Sequence, residues 1–213
     1  GLFGKVSGNI QNVTLQNPVL YLVNGENGSF YQLLKGVGIL AGQNAGSLNG
    51  VTIKVTKAQN GNTVQVSMEN STNSSIGIGG LVGIIEADSR SSSSAGQIEA
   101  SAMEGKIEAK LPTANTSDAE EVSYGIGGIV GYASLKNTTG SAKISNCENH
   151  AEITGNMFTG GIAGKLEGTL ERISSEQAST LANIRECSSD GLILCSNIAQ
   201  DGSLKGMYFG GIA

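Results

Sequence analysis

A four-residue signature returns along this chain: glycine, an aliphatic residue, a second apolar residue, glycine. It reads Gly1-Leu2-Phe3-Gly4, Gly80-Leu81-Val82-Gly83, Gly128-Ile129-Val130-Gly131 and Gly161-Ile162-Ala163-Gly164. Ile39-Leu40-Ala41-Gly42 is a variant with isoleucine in the first glycine's place, and Gly211-Ile212-Ala213 is an incomplete further copy. The closing glycines at 4, 42, 83, 131 and 164 stand 38, 41, 48 and 33 residues apart. A unit of this size cannot bury its apolar side alone. Stacked on its neighbours it can, which is the principle of a repeat solenoid.

The residues after the signature align as well. Gly8, Gly46 and Gly168 follow the closing glycine by four. Ile10, Leu48 and Leu170 come two later, and Val13, Val51 and Ile173 three after that. A second block runs without gaps from Ile98, Ile144 and Ile184. It continues through Ser101, Cys147 and Cys187, then Gly105, Ala151 and Gly191, to Ile107, Ile153 and Ile193. The apolar runs are short, β-branched and interrupted by glycine, which favours strand over helix.

The expected fold is all-β: a parallel β-solenoid (β-helix) of about five Gly-rich coils with loop insertions, about three strands to the coil. Parallel crossovers of this kind favour the right hand. At about 4.8 Å per coil the stack is about 24 Å tall. Residues 1–213 read as one solenoid domain cut from a longer chain, because both ends fall inside the signature. The polar stretches 88–96 and 111–121 read as protruding loops. Segments 24–35 and 57–63 read as turns or coil extensions, and 175–185 as a short helix.

Composition narrows the function classes. Only 15% of residues are charged and the net charge is −5, so no basic stripe is available for phosphates and nucleic acid is not an expected partner. No apolar run approaches the roughly 20 residues of a spanning helix, so direct membrane insertion is not expected of this segment. With no tryptophan and 4% aromatics, the core must be built from Ile, Leu, Val, Ala and backbone, which suits closely stacked thin layers.

The Gly-Leu-x-Gly signature, followed by an Ile-x-Asn-Cys strand such as Ile144-Ser145-Asn146-Cys147, resembles the GLUG motif. The resemblance covers most of the chain in about five copies. GLUG repeats occur in large secreted or surface-anchored bacterial proteins, among them predicted adhesins of gut Bacteroidetes and noncatalytic regions of some immunoglobulin A proteases. The resemblance implies an extracellular, cell-surface module for adhesion or spacing, with surface glycans or proteins as partners. It supplies no catalytic residues. The chain departs from the motif at Ile39 and in the long inserts after Gly83 and Gly164.

Residue by residue, the expectation is no catalytic, cofactor-binding or metal-ligating set, and no cofactor. His150 is the single histidine; any Ser-His-Asp or Cys-His mechanism would need it, and it reads as an exposed turn residue. Gly36-Val37-Gly38-Ile39-Leu40-Ala41 imitates a dinucleotide fingerprint without the βαβ context. Glu86, Asp88, Glu148, Glu152 and Asp190 read as a solvated outer face. The alternative is a carbohydrate-binding or polysaccharide-degrading β-helix that would use such carboxylates. Cys147, Cys187 and Cys195 lack CxxC spacing and argue against zinc. Cys147 and Cys187 fall at one position of successive units, so the expectation is two stacked, free, buried thiols. Their Cα separation would permit a disulfide, but parallel side chains oppose the required torsion.

Overall fold

The computed structural model describes residues 1–23, 35–56, 63–68, 75–86, 96–112, 123–134, 143–167, 183–196 and 208–212. Those residues form 25 short strands, and no helix occurs among them. The strands make five parallel sheets of five strands each, and the sheet order steps by five in sequence. The protein is therefore a parallel β-solenoid of five coils: 3–37, 41–79, 82–127, 130–160 and 163–210.

Coil 3 shows the pattern. It runs through β11 (Val82–Glu86), β12 (Gln97–Glu99), β13 (Ala102–Met103), β14 (Lys106–Lys110) and β15 (Ser123–Gly127). Five strands per coil replace the three expected from sequence. One reason is that the apparent strand 144–149 is two strands, β17 (Lys143–Ser145) and β18 (Glu148–Asn149), with a corner between them. The other is that an additional strand precedes the signatures that begin at Ile39, Gly80, Gly128, Gly161 and Gly211.

Register confirms most of the repeat. Val82 pairs with Ala41 and Val130, and Val130 with Ala163, so the signatures stack coil on coil. Leu48, Ile98, Ile144 and Ile184 form one inward row that begins at Ile10. The alignment through Gly168, Leu170 and Ile173 is corrected here. Ile184 takes the place above Ile144, and Gly96, one residue before the paired Gln97 and Ser47, takes the place beside Gly46. Residues 168–182 lie outside the described set.

The other loop expectations fall mostly outside it too: 24–34, 57–62, 88–95, 113–121 and 175–182. The parts that are described belong to the frame. Gly96, Leu111 and Thr63 are buried, and Asn183–Arg185 is a strand, not the end of a helix.

The core is one continuous apolar cluster. Leu40, Leu81, Ile129 and Ile162 of the signatures lie in it, beside Leu48, Ile53, Ile98, Met103, Ile107 and Ile153. Each ladder repeats similar residues, so side chains stack in kind and a slim core reaches full burial with few aromatics.

Around each signature the backbone doubles back. β10 (Ser75–Gly79) and β11 are separated by Gly80 and Leu81 alone, and their sheets face each other. Glycine sets the spacing. A Cβ on Gly77 would lie 2.0 Å from the oxygen of Gly83, and one on Gly131 would lie 2.2 Å from the nitrogen of Ile78. The two layers touch backbone to backbone, far closer than the roughly 10 Å usual for stacked sheets. We call this closed end the arch. Its open end, the mouth, lies where β10-type strands begin and β11-type strands end.

Candidate functional site

Three clusters of polar side chains stand out among the described residues.

The first is a corner shared by all five coils. Asn12, Gly50, Ala100, Asn146 and Glu186 occupy it with φ of 55°, 66°, 47°, 52° and 53°. This left-handed region is open to glycine, tolerable for asparagine and costly for other residues. The next residue in each coil is Val13, Val51, Ser101, Cys147 or Cys187. Where that residue carries a donor, it closes the corner locally. Ser101 Oγ donates to the carbonyl of Glu99 at 2.9 Å, Cys147 Sγ to Ser145 at 3.3 Å and Cys187 Sγ to Arg185 at 3.2 Å. The same atoms accept from the coil before: Val51 N–H donates to Ser101 Oγ at 3.2 Å, and Cys147 N–H to Cys187 Sγ at 3.4 Å. The Asn146-Cys147 pair is thus a corner residue and its cap.

All three cysteines are free thiols. Cys147 is buried as expected, and burial pushes its thiol up to about 12. Cys187 stacks on it but is only half-buried, which corrects the expectation of two buried thiols. It belongs to coil 5, whose strands stand at the edge of every sheet among the described residues.

The second cluster lies on an outward row. His150 Nδ1 is 2.7 Å from Asp190 Oδ1, and Nε2 is 3.3 Å from Glu148 Oε2. All three side chains are well exposed. The carboxylates raise the imidazole's pKa above its ordinary value, Asp190 first. Of the other carboxylates read from sequence, Glu152 pairs with Lys106 at 2.9 Å. Asp88 lies outside the described residues, and Glu86 ends β11. So the structure brings together Glu148 and Asp190, around histidine.

The third cluster closes the mouth of the arch. Glu167 accepts from Ser123 Oγ at 2.9 Å, Tyr132 Oη at 2.8 Å and Lys165 Nζ at 2.8 Å. Ser123 opens the last strand of coil 3, Tyr132 lies in the first strand of coil 4 and Glu167 in the first strand of coil 5, so one carboxylate ties three coils. Burial holds the Tyr132 hydroxyl up to about 12, with Glu167 adding to the effect. Lys165 also lies over the ring of Phe158, 5.1 Å from its centroid, and that ring stacks on Tyr208 at 5.2 Å. Phe158 takes the row position of Gly36, Gly77 and Gly125, with a φ of 42°. A carboxylate held by three donors is a committed acceptor, suited to clamping and not to proton abstraction. The sequence carries no signal for this clamp: its members are 35 and 44 residues apart and belong to no motif.

The dinucleotide-like stretch 36–41 crosses an arch tip, where Leu40 and Ala41 are core, so the stretch faces no cradle. Among the described residues, no group of three or more His, Cys, Asp or Glu is placed to hold a metal ion, and no helix is long and apolar enough to cross a membrane. No family model, curated protein or solved structure matches this chain.

Proposed function

We propose that this chain is a noncatalytic module for adhesion or spacing at a bacterial cell surface, and that its partners are surface glycans or proteins. The resemblance to GLUG repeats motivates the location and the partner class. One structural observation carries the reading further. At the mouth of the arch Glu86, Ser134 and Glu167 end stacked strands of coils 3, 4 and 5, and the next strands begin only at Gln97, Lys143 and Asn183, whereas coils 1 and 2 cross the same corner with Ser7-Gly8 and Ala45-Gly46. One stacked corner of the ladder is thus joined to the next strand by connections whose length differs from coil to coil, and the one after Glu86 is Ser-rich. Binding surfaces are commonly built this way, on variable segments held by an invariant scaffold.

The test uses the whole chain on a glycan array and on immobilised extracellular proteins, beside a polysaccharide-digestion panel. A variant in which 87–95 and 135–142 are shortened to two-residue crossings should keep its β circular dichroism and lose binding. Release of digestion products would favour the carbohydrate-degrading alternative. Binding retained by the shortened variant would remove the mouth edge as the contact surface.

A further inference from the structure

We propose that His150 is a proton-operated latch between coils 4 and 5: as imidazolium it bridges Glu148 on its own coil to Asp190 on the next, and without its proton it releases β23 (Ser188–Ser189) locally.

The geometry selects the protonated ring. Ionised carboxylates only accept hydrogen bonds, and a neutral imidazole offers one donor and one lone pair. Here both ring nitrogens face carboxylate oxygens. The neutral ring can satisfy one of them and turns a lone pair on the other; the imidazolium satisfies both. The contact to Asp190 spans 40 positions of sequence but a single coil step.

Among the described residues the surroundings bring no opposing cation into contact. Register places Glu104 in the row position below His150, where its carboxylate accepts from the N–H of Val55 at 2.9 Å, and Lys54 one coil further. On the flanking row Glu148 lies between Ala102 and Ser188. The nearest pair on the following strand, Lys106 with Glu152, is already closed. On the preceding strand Ser145 pairs with Arg185.

What the latch holds is narrow. β23 pairs with β18 over two positions, Glu148 with Ser188 and Asn149 with Ser189, flanked by the N–H of Ser188 to the carbonyl of Cys147 at 3.0 Å and of Asp190 to that of Asn149 at 3.1 Å, and Asn149 Nδ2 donates to Ser189 Oγ at 3.2 Å. A two-residue strand at a sheet edge opens easily, so a modest side-chain contribution changes its opening measurably. The sign follows from the raised imidazole. Its contribution is complete below the ordinary histidine value of about 6.5 and fades as pH rises through the folded-state value, so coil 5 loosens on the alkaline side.

A single histidine makes the test clean. Its ring resonances in the intact chain should titrate with a midpoint above about 6.5. Asp190→Asn should lower that midpoint, and Glu148→Gln should lower it by less. Amide exchange at Ser188 and Asp190, corrected for intrinsic rates, should speed up about two- to fivefold across the transition. His150→Gln should abolish that pH dependence. A midpoint at or below about 6.5, one unmoved by Asp190→Asn, or exchange that ignores the transition would each overturn the latch.

Discussion

The backbone N–H of Cys147 points at the sulfur of Cys187, 3.4 Å away, across the step between coils 4 and 5. Each thiol meanwhile donates to the carbonyl two residues before it in its own coil. Both sulfurs are therefore engaged along the same directions, one above the other, and neither points at its neighbour as a disulfide would need. A corner that drops one ladder bond is repaired by a side chain of one heavy atom beyond Cβ.

Graded exposure of the cysteines should appear in thiol counting. Native alkylation should modify Cys195 first, Cys187 more slowly, and Cys147 only after denaturant is added, since the first is exposed, the second half-buried and the third buried. Mass spectrometry of timed samples gives the order. Rapid native labelling of Cys147 would break the register assigned to coils 4 and 5.

Alkaline pH should weaken the fold through Cys147. The unfolded thiol ionises near its ordinary value of about 8.5, while burial holds the folded one up to about 12. Between those values the folded state keeps a proton that the unfolded state has lost, so stability falls as pH rises. Cys147→Ser has no such window. Denaturant melts of the two proteins at successive pH values should therefore converge as pH climbs above about 9.

These two expectations rest on a register that could be read largely from the chain. Gapless agreement between 144–153 and 184–193 places like residues on neighbouring coils, and the pairs Ile144–Ile184 and Ile153–Ile193 are found. The corner inside that block was not legible. A left-handed residue is visible in sequence when it is Gly50 or Asn146, but Ala100 and Glu186 adopt the same conformation with no local sign of it. What imposes it is the coil beneath, a tertiary demand. The false match at Leu170 has a similar origin. Spacing after the signature is kept where the crossing is two residues long and lost where more residues separate the strands, as between Glu167 and Asn183. The half-exposure of Cys187 and the three donors on Glu167 depend on which coil is last and which coils meet at the mouth, and no local pattern encodes either.

Position 100 offers a gain in stability. Alanine there has φ 47°, a conformation that disfavours a Cβ by about 1–2 kcal/mol. Ala100→Gly removes that strain and increases the freedom of the unfolded chain, so the net gain should be about 0.5–1 kcal/mol. Asn146→Ala at the equivalent corner should instead cost about 1 kcal/mol. Chemical denaturation of both variants measures the two signs.

Ser101 should tolerate cysteine better than alanine. Its hydroxyl donates to Glu99 and accepts from the buried N–H of Val51. Ser101→Ala leaves that N–H without its side-chain acceptor, at about 1–3 kcal/mol. Ser101→Cys restores the cap used in coils 4 and 5 and should recover most of the loss. Equal destabilisation by both variants would remove the capping role.

The arch glycines should differ by coil. A Cβ on Gly131 meets the backbone of Ile78 and Gly77, which cannot move without opening the arch, whereas one on Gly4 meets nothing within 4 Å. Gly131→Val, and even Gly131→Ala, should cost about 3 kcal/mol or more. Gly4→Ala, at the same place in the signature, should be nearly neutral. Melting temperatures of the pair decide it; a neutral Gly131→Ala would mean that the facing sheets are not in backbone contact.

Unequal repeats on equal steps have a metric consequence. Successive signatures stand 38, 41, 48 and 33 residues apart, yet each lands one parallel-strand spacing of about 4.8 Å above the last. Axial height therefore counts coils and takes no account of contour length. Lengthening the chain at the mouth thickens the object sideways and leaves its two ends the same distance apart, so girth and reach can be altered independently.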